Sequence, residues 1–207
     1  MNMLEEMQRE VASRFKKEQG KRIAEAMIDE YEELCRDFEG KYDPMEKHKR
    51  NNIYPALTAF HAMIAEGFDR KKAAAVTDDC FLLLMEKQAD RFQEMMKVPG
   101  AYKMLPSIWK RLMPRLFKEK EGFVYEFAPT DGKSVRFDMK VCPYFNTCKE
   151  LDCIELAPTF CRGDEMCYGH MSPKLGWKRT KTLAEDGEPC DFEVYIKEDK
   201  EKQPEEK

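Results

Sequence analysis

The sequence predicts an α+β protein: a helical N-terminal half packed beside a small antiparallel sheet, with a cysteine-rich C-terminal segment. Three observations lead there. Apolar residues recur at three- and four-residue steps over roughly the first hundred positions, the helical period. After Lys120 the step shortens to two, the period of strands. Six of the eight cysteines (Cys142, Cys148, Cys153, Cys161, Cys167 and Cys190) then fall in the last third. The expected layout is a helical region over 1–120, an antiparallel cysteine-rich region over 121–197 and a charged disordered tail over 198–207, forming one compact unit.

Leu4, Met7, Val11 and Phe15 mark a first amphipathic helix, with Gly20 as its stop. Ile23, Met27, Tyr31, Leu34 and Phe38 make the stripe of a second, ending at Gly40. Asp43-Pro44 reads as cap and first position of a third, which runs through Ile53, Leu57, Phe60 and Ile64 to Gly67 and bends at Pro55. Asp69 opens a long helix toward Met96, broken by Val98-Pro99-Gly100, and a fifth spans Ala101 to Phe117. Phe123 to Phe127 and Val135 to Val141 alternate as strands, joined by the turn Thr130-Asp-Gly-Lys133. Short helices fill 142–172, and a second hairpin runs Leu175 to Ala184, turns at Asp186-Gly187 and returns over Asp191 to Ile196.

With 36 basic against 40 acidic side chains, the net charge of -4 offers no field for nucleic acid. Neither the apolar run Phe81 to Met85 nor the charged first ten residues supplies a membrane span or an export signal, so a cytoplasmic location without membrane partner is expected. No glycine-rich phosphate loop, dinucleotide fingerprint, G-x-S-x-G elbow or H-E-x-x-H helix occurs. The basic amphipathic segment Ile108 to Lys118 is read as a core-facing helix with solvated lysines rather than a membrane-seeking one.

The late cysteines are spaced C-x5-C-x4-C-x7-C-x5-C-x22-C, without the tight pairs of structural zinc or iron–sulfur sites. No cofactor is therefore expected, and zinc or iron is the weaker alternative. Of the histidines, His48 reads as solvated, His61 as semi-buried and satisfied, and His170 alone as an acid–base or ligand candidate.

The series Cys142-Pro, Glu155-Leu, Phe160-Cys161-Arg-Gly-Asp164 and Arg179-Thr180-Lys-Thr182-Leu-Ala-Glu-Asp-Gly187-Glu-Pro-Cys190-Asp191-Phe192 resembles the L-2-amino-thiazoline-4-carboxylic acid hydrolase family. The resemblance is specific over Cys142 to Phe192 and looser across the helical half, and Cys148 and Cys167 stand outside its pattern. It implies a hydrolase of the class acting on carbon–nitrogen bonds of cyclic amidines, in which water opens a 2-aminothiazoline ring to give N-carbamoyl-cysteine. The expected partner is thus a small-molecule substrate, and a homo-oligomer is compatible with the reading.

Such chemistry needs a nucleophile, an acid–base group and a planar cation for the substrate carboxylate. Cys161 is the candidate nucleophile, against a reading as a small buried hydrophobe. Asp164, three residues on, would hold the amidinium or act as base; otherwise it is a cap or surface charge. Arg179 would clamp the carboxylate, while Thr180 and Thr182 alternate to the opposite face of the strand. Cys190 and Asp191 would complete the wall, against readings as core and turn acceptor. A rival class keeps the same cysteines for a ligand- or metal-binding sensor or carrier without catalysis.

Overall fold

The computed structural model describes residues 2–129 and 131–198. The helices are α1 (Met3–Ser13), α2 (Lys17–Arg36), α3 (Glu46–His48), α4 (Tyr54–Ala65), α5 (Arg70–Met96), α6 (Ala101–Leu116), α7 (Pro143–Glu150) and α8 (Ala157–Gly169). The strands are β1 (Val124–Phe127), β2 (Ser134–Val141), β3 (Leu175–Lys178) and β4 (Cys190–Ile196), in one antiparallel sheet of order β1-β2-β4-β3. The architecture is α+β.

The chain divides into two compact units, each built from two stretches: residues 1–85 with 143–163, and residues 86–142 with 164–207. Both α5 and α8 cross from one set to the other.

In the first unit α1, α2 and α4 pack around Met7, Val11, Ile23, Met27, Leu57 and Phe60, all fully buried. Gly20 does not stop α1; it lies inside α2. A Cβ there would stand 2.4 Å from the Ala12 carbonyl oxygen, so glycine is required by the close approach of two helices. Asp43 is not the helix cap expected of it: α3 starts at Glu46 with Met45 as its cap, and Asp43 instead closes the turn just ahead, its Oδ1 accepting the Met45 amide at 2.7 Å and its Oδ2 the Lys49 ammonium at 2.7 Å. The segment that follows widens to a π-helical turn over Lys49–Ile53 before α4 resumes. Pro55 lacks an amide hydrogen and its ring crowds the carbonyl one turn back, and the wide turn absorbs that conflict. Asp69 accepts the Lys72 amide at 2.9 Å and opens α5.

In the second unit Val135, Phe137 and Met139 of β2 face inward with Cys190, Phe192 and Val194 of β4, each directly opposite its partner. The Phe137 and Phe192 rings stack at 4.9 Å. The last turns of α8 place Tyr168 against Trp109 of α6 at 4.8 Å and Trp177 of β3 at 5.5 Å. Gly176 is dictated by packing as well, since the Tyr195 ring occupies the space of its missing Cβ at 2.2 Å.

The expected strand from Leu175 to Ala184 is corrected: β3 stops at Lys178. Asp191 on β4 draws in the amides of Thr180 and Lys181, so the chain leaves the ladder there and turns over residues 183–188. Of the 198–207 tail, only Glu198 is among the described residues. Thr130 of the first hairpin turn also lies outside them.

Candidate functional site

The second half of α8 presents Asp164, Cys167 and Tyr168 at the three- and four-residue offsets that bring helical side chains onto one face. Asp164 is half-buried at its surface yet deeply surrounded by protein. Desolvation pushes its carboxyl up to about 7, against the pull of the Arg179 cation, which favours ionisation. Among the described residues no hydrogen bond to the carboxylate offsets that burial.

Arg179 is delivered by the loop after β3. Its side chain is only 7% exposed, its guanidinium carbon lies 5.6 Å from the centre of the Phe192 ring, and Nη2 stands 3.8 Å from Glu165 Oε2. Thr180 turns the other way: its amide donates to Asp191 Oδ1 at 2.7 Å and its hydroxyl to Oδ2 at 2.6 Å, while the Lys181 amide reaches Oδ1 at 2.7 Å. Burial opposes ionisation of Asp191, but these three donors outweigh it and hold its carboxyl below the usual value. Thr182 is buried and closes the following turn, its hydroxyl accepting the Glu185 amide at 3.0 Å and its own amide donating to Asp186. The Leu183 amide donates to Cys190 Sγ at 3.3 Å. Thr180, Thr182, Cys190 and Asp191 therefore shape the loop that positions Arg179.

Two thiols share the electrostatic surroundings of Asp164. Burial, then the Asp164 charge, pushes Cys167 up to about 12. Burial also raises Cys190; the Leu183 amide and the Arg179 cation oppose that rise, and the Asp164 and Asp191 charges add to it. Both are thiols at neutral pH and neither is a ready thiolate.

Cys161, half-buried, sits on α8 three residues before Asp164 as its spacing predicts, and belongs to the first unit. The six late cysteines divide three and three: Cys148, Cys153 and Cys161 in the first unit, Cys142, Cys167 and Cys190 in the second. None of the eight is in a disulfide. Among the described residues no three His, Cys, Asp or Glu side chains converge as a metal-ligating group.

His170 lies exposed just past α8. His61 is half-buried and paired with Glu30 at 2.6 Å. His48 is corrected: it is not solvated but half-buried, with Nδ1 2.9 Å from the Tyr144 hydroxyl, a partner nearly a hundred residues away that no local charge run discloses.

A family model described as L-2-amino-thiazoline-4-carboxylic acid hydrolase matches residues 45–194. The chain belongs to the L-2-amino-thiazoline-4-carboxylic acid hydrolase family. No curated protein and no solved structure matches it. The stretch matched to this hydrolase family starts after α2 and takes in every candidate above, from Cys161 to Asp191. Cys167, Tyr168, Trp177 and Phe192 are the neighbours of Asp164 and Arg179 that sequence reasoning passes over as site residues. The first two were within reach, because their offsets from Asp164 are the helical ones.

Proposed function

We propose that this hydrolase-family chain adds water to the amidine carbon of L-2-amino-thiazoline-4-carboxylate or a closely related cyclic amidine acid. The observation that carries the reading is a desolvated carboxyl, Asp164, poised near 7 within the field of a buried arginine, Arg179.

In the proposed reaction Arg179 receives the substrate carboxylate on its planar fork, beside the Phe192 ring. Asp164, ionised, takes a proton from water as its oxygen bonds to the carbon between nitrogen and sulfur. The tetrahedral adduct collapses to a carbonyl as its hydroxyl proton passes to the ring nitrogen and the bond from that carbon to ring sulfur breaks. The protonated Asp164 then returns its proton to the departing sulfur. Both nitrogens stay on the carbon, so the product is N-carbamoyl-cysteine, the substrate plus one water, and the single bond that breaks is carbon–sulfur rather than the carbon–nitrogen bond first expected. A carboxyl near 7 suits both halves of this cycle at neutral pH.

The covalent variant, in which the Cys161 sulfur adds first and water releases it, requires the same proton carrier. The raised thiols Cys167 and Cys190 support the direct attack of water over any attack by themselves.

The test is incubation of the purified chain with L-2-amino-thiazoline-4-carboxylate, with the carbamoyl product followed by mass spectrometry. Turnover that disappears in Asp164→Asn and survives in Cys161→Ala establishes the water mechanism. Turnover lost in a folded Cys161→Ala protein moves the attack to that sulfur. Absence of turnover by the folded parent chain overturns the proposal.

A further inference from the structure

Between Lys97 and Lys118 the chain carries six cations (Lys97, Lys103, Lys110, Arg111, Arg115 and Lys118) and no Asp or Glu, although acids outnumber bases 40 to 36 overall. Helix α6 occupies most of this stretch. One face does what its sequence predicts, burying Leu105, Pro106, Trp109 and Met113. A second apolar row is left in solvent: Met104, Ile108, Leu112 and Leu116 are 61%, 38%, 38% and 49% exposed. Their four-residue spacing aligns them as one ridge along the helix.

The ridge is bordered by Arg111 and Arg115, three residues beyond Ile108 and Leu112. Among the described residues, Lys103, Lys110, Arg111 and Arg115 pair with no carboxylate, whereas Arg22, Arg50, Arg70 and Arg162 all do. Pro106, Ser107, Lys110, Arg111, Gly132 and Ser134 line a groove of about 200 Å³, with two cations and two hydroxyls on its walls. That is the donor chemistry of a phosphate seat. All of these residues belong to the second unit.

We propose that α6 docks the chain on an anionic lipid surface. The aliphatic ridge enters the headgroup layer, and Lys110 and Arg111 receive a lipid phosphate in the groove beside it. The helix lies on the surface and does not cross it, and none of the described helices is long and apolar enough to do so. A second copy of the chain is a poor occupant, because a two-fold contact would set this acid-free stretch against itself. The chain's own last ten residues, Glu198 to Lys207, are a poor occupant too, with Pro204 as their sole apolar side chain to set against a four-residue ridge. A protein partner is disfavoured because the ridge is aliphatic and exposes no aromatic anchor.

The experiment is co-sedimentation of the full chain with phosphatidylcholine vesicles, with or without about 30 mol% phosphatidylserine. Binding to the anionic vesicles at least about tenfold tighter than to the neutral ones, and weakened by added salt, is the expected result. Lys110→Gln with Arg111→Gln and, separately, Ile108→Glu should each lower it about tenfold. Both variants should keep the parent's circular dichroism and thiazoline-ring hydrolysis, since neither touches Asp164 or Arg179. No sedimentation with anionic vesicles, or equal binding to neutral ones, overturns the proposal. So does a dimer of the parent chain that Ile108→Glu dissociates, which would make the ridge a protein interface.

Discussion

Asp191 grips Thr180 twice, accepting its amide at 2.7 Å and its hydroxyl at 2.6 Å, and so fixes the residue immediately after Arg179. Asp191→Ala leaves those donors and the Lys181 amide without their acceptor, a loss of about 2 kcal/mol in urea unfolding. Because the Asp191 carboxyl is held low, its contribution exists above the ordinary aspartate range and fades as the pH falls below it. The same variant should raise KM for the thiazoline acid more than it lowers kcat, since what it disturbs is the placement of Arg179. A KM unchanged in the folded variant would detach Asp191 from the site.

Asp164 has the opposite sign. Its carboxyl is raised to about 7, so between roughly pH 4 and 7 the folded chain keeps a proton that the unfolded chain releases. Stability should therefore decline with rising pH across that window, by on the order of 4 kcal/mol at most and less for the carboxyl's residual exposure. Asp164→Asn should flatten the decline, read as similar urea midpoints at about pH 5 and pH 8. It should also lower kcat about a hundredfold or more. An undiminished difference between the two midpoints would refute the assignment of a buried, protonated carboxyl.

Arg179 is the charge that favours ionisation of Asp164. In Arg179→Met the inflection of kcat/KM with pH should move above 7, and KM for the carboxylate substrate should rise. Arg179→Lys should restore the inflection but not the KM, because an ammonium supplies the charge without the fork. A pH profile identical in all three proteins would show that the two groups do not communicate.

Gly20→Ala tests the packing of α1 on α2. An alanine in an exposed helix interior usually adds stability. Here its Cβ would press on the Ala12 carbonyl oxygen, and a loss of about 2–3 kcal/mol is expected, several degrees in Tm. A rise in Tm would mean the helices separate freely at that point.

The long helices were legible because their signals are local: apolar periodicity, Asp69 as the cap of α5, and Pro55 as an obstruction, though the chain meets it with a wide turn that the sequence did not disclose. The alternation of β2 was equally plain, and its inward residues are Val135, Phe137 and Met139. Gly20 misled because a glycine that ends a helix and one that lets another helix approach look alike without the neighbour. The overlong third strand failed for a related reason, its end being decided by Asp191 from the adjacent strand. Asp164, Arg179, Cys190 and Asp191 could be named from the family's pattern. That Asp164 and Arg179 act on each other, while Thr180 turns aside, depends on how β3 ends and was beyond it.

The interleaving of the two units bears on how the chain is made. Residues 1–85 leave the ribosome about sixty residues ahead of 143–163, the rest of their unit. Phe81 and Phe160, whose rings end 5.3 Å apart, must wait for one another across that interval, as must Phe81 and Gly163. Neither unit can thus be completed during synthesis before most of the chain has emerged, and no single cut in the gene yields either one by itself.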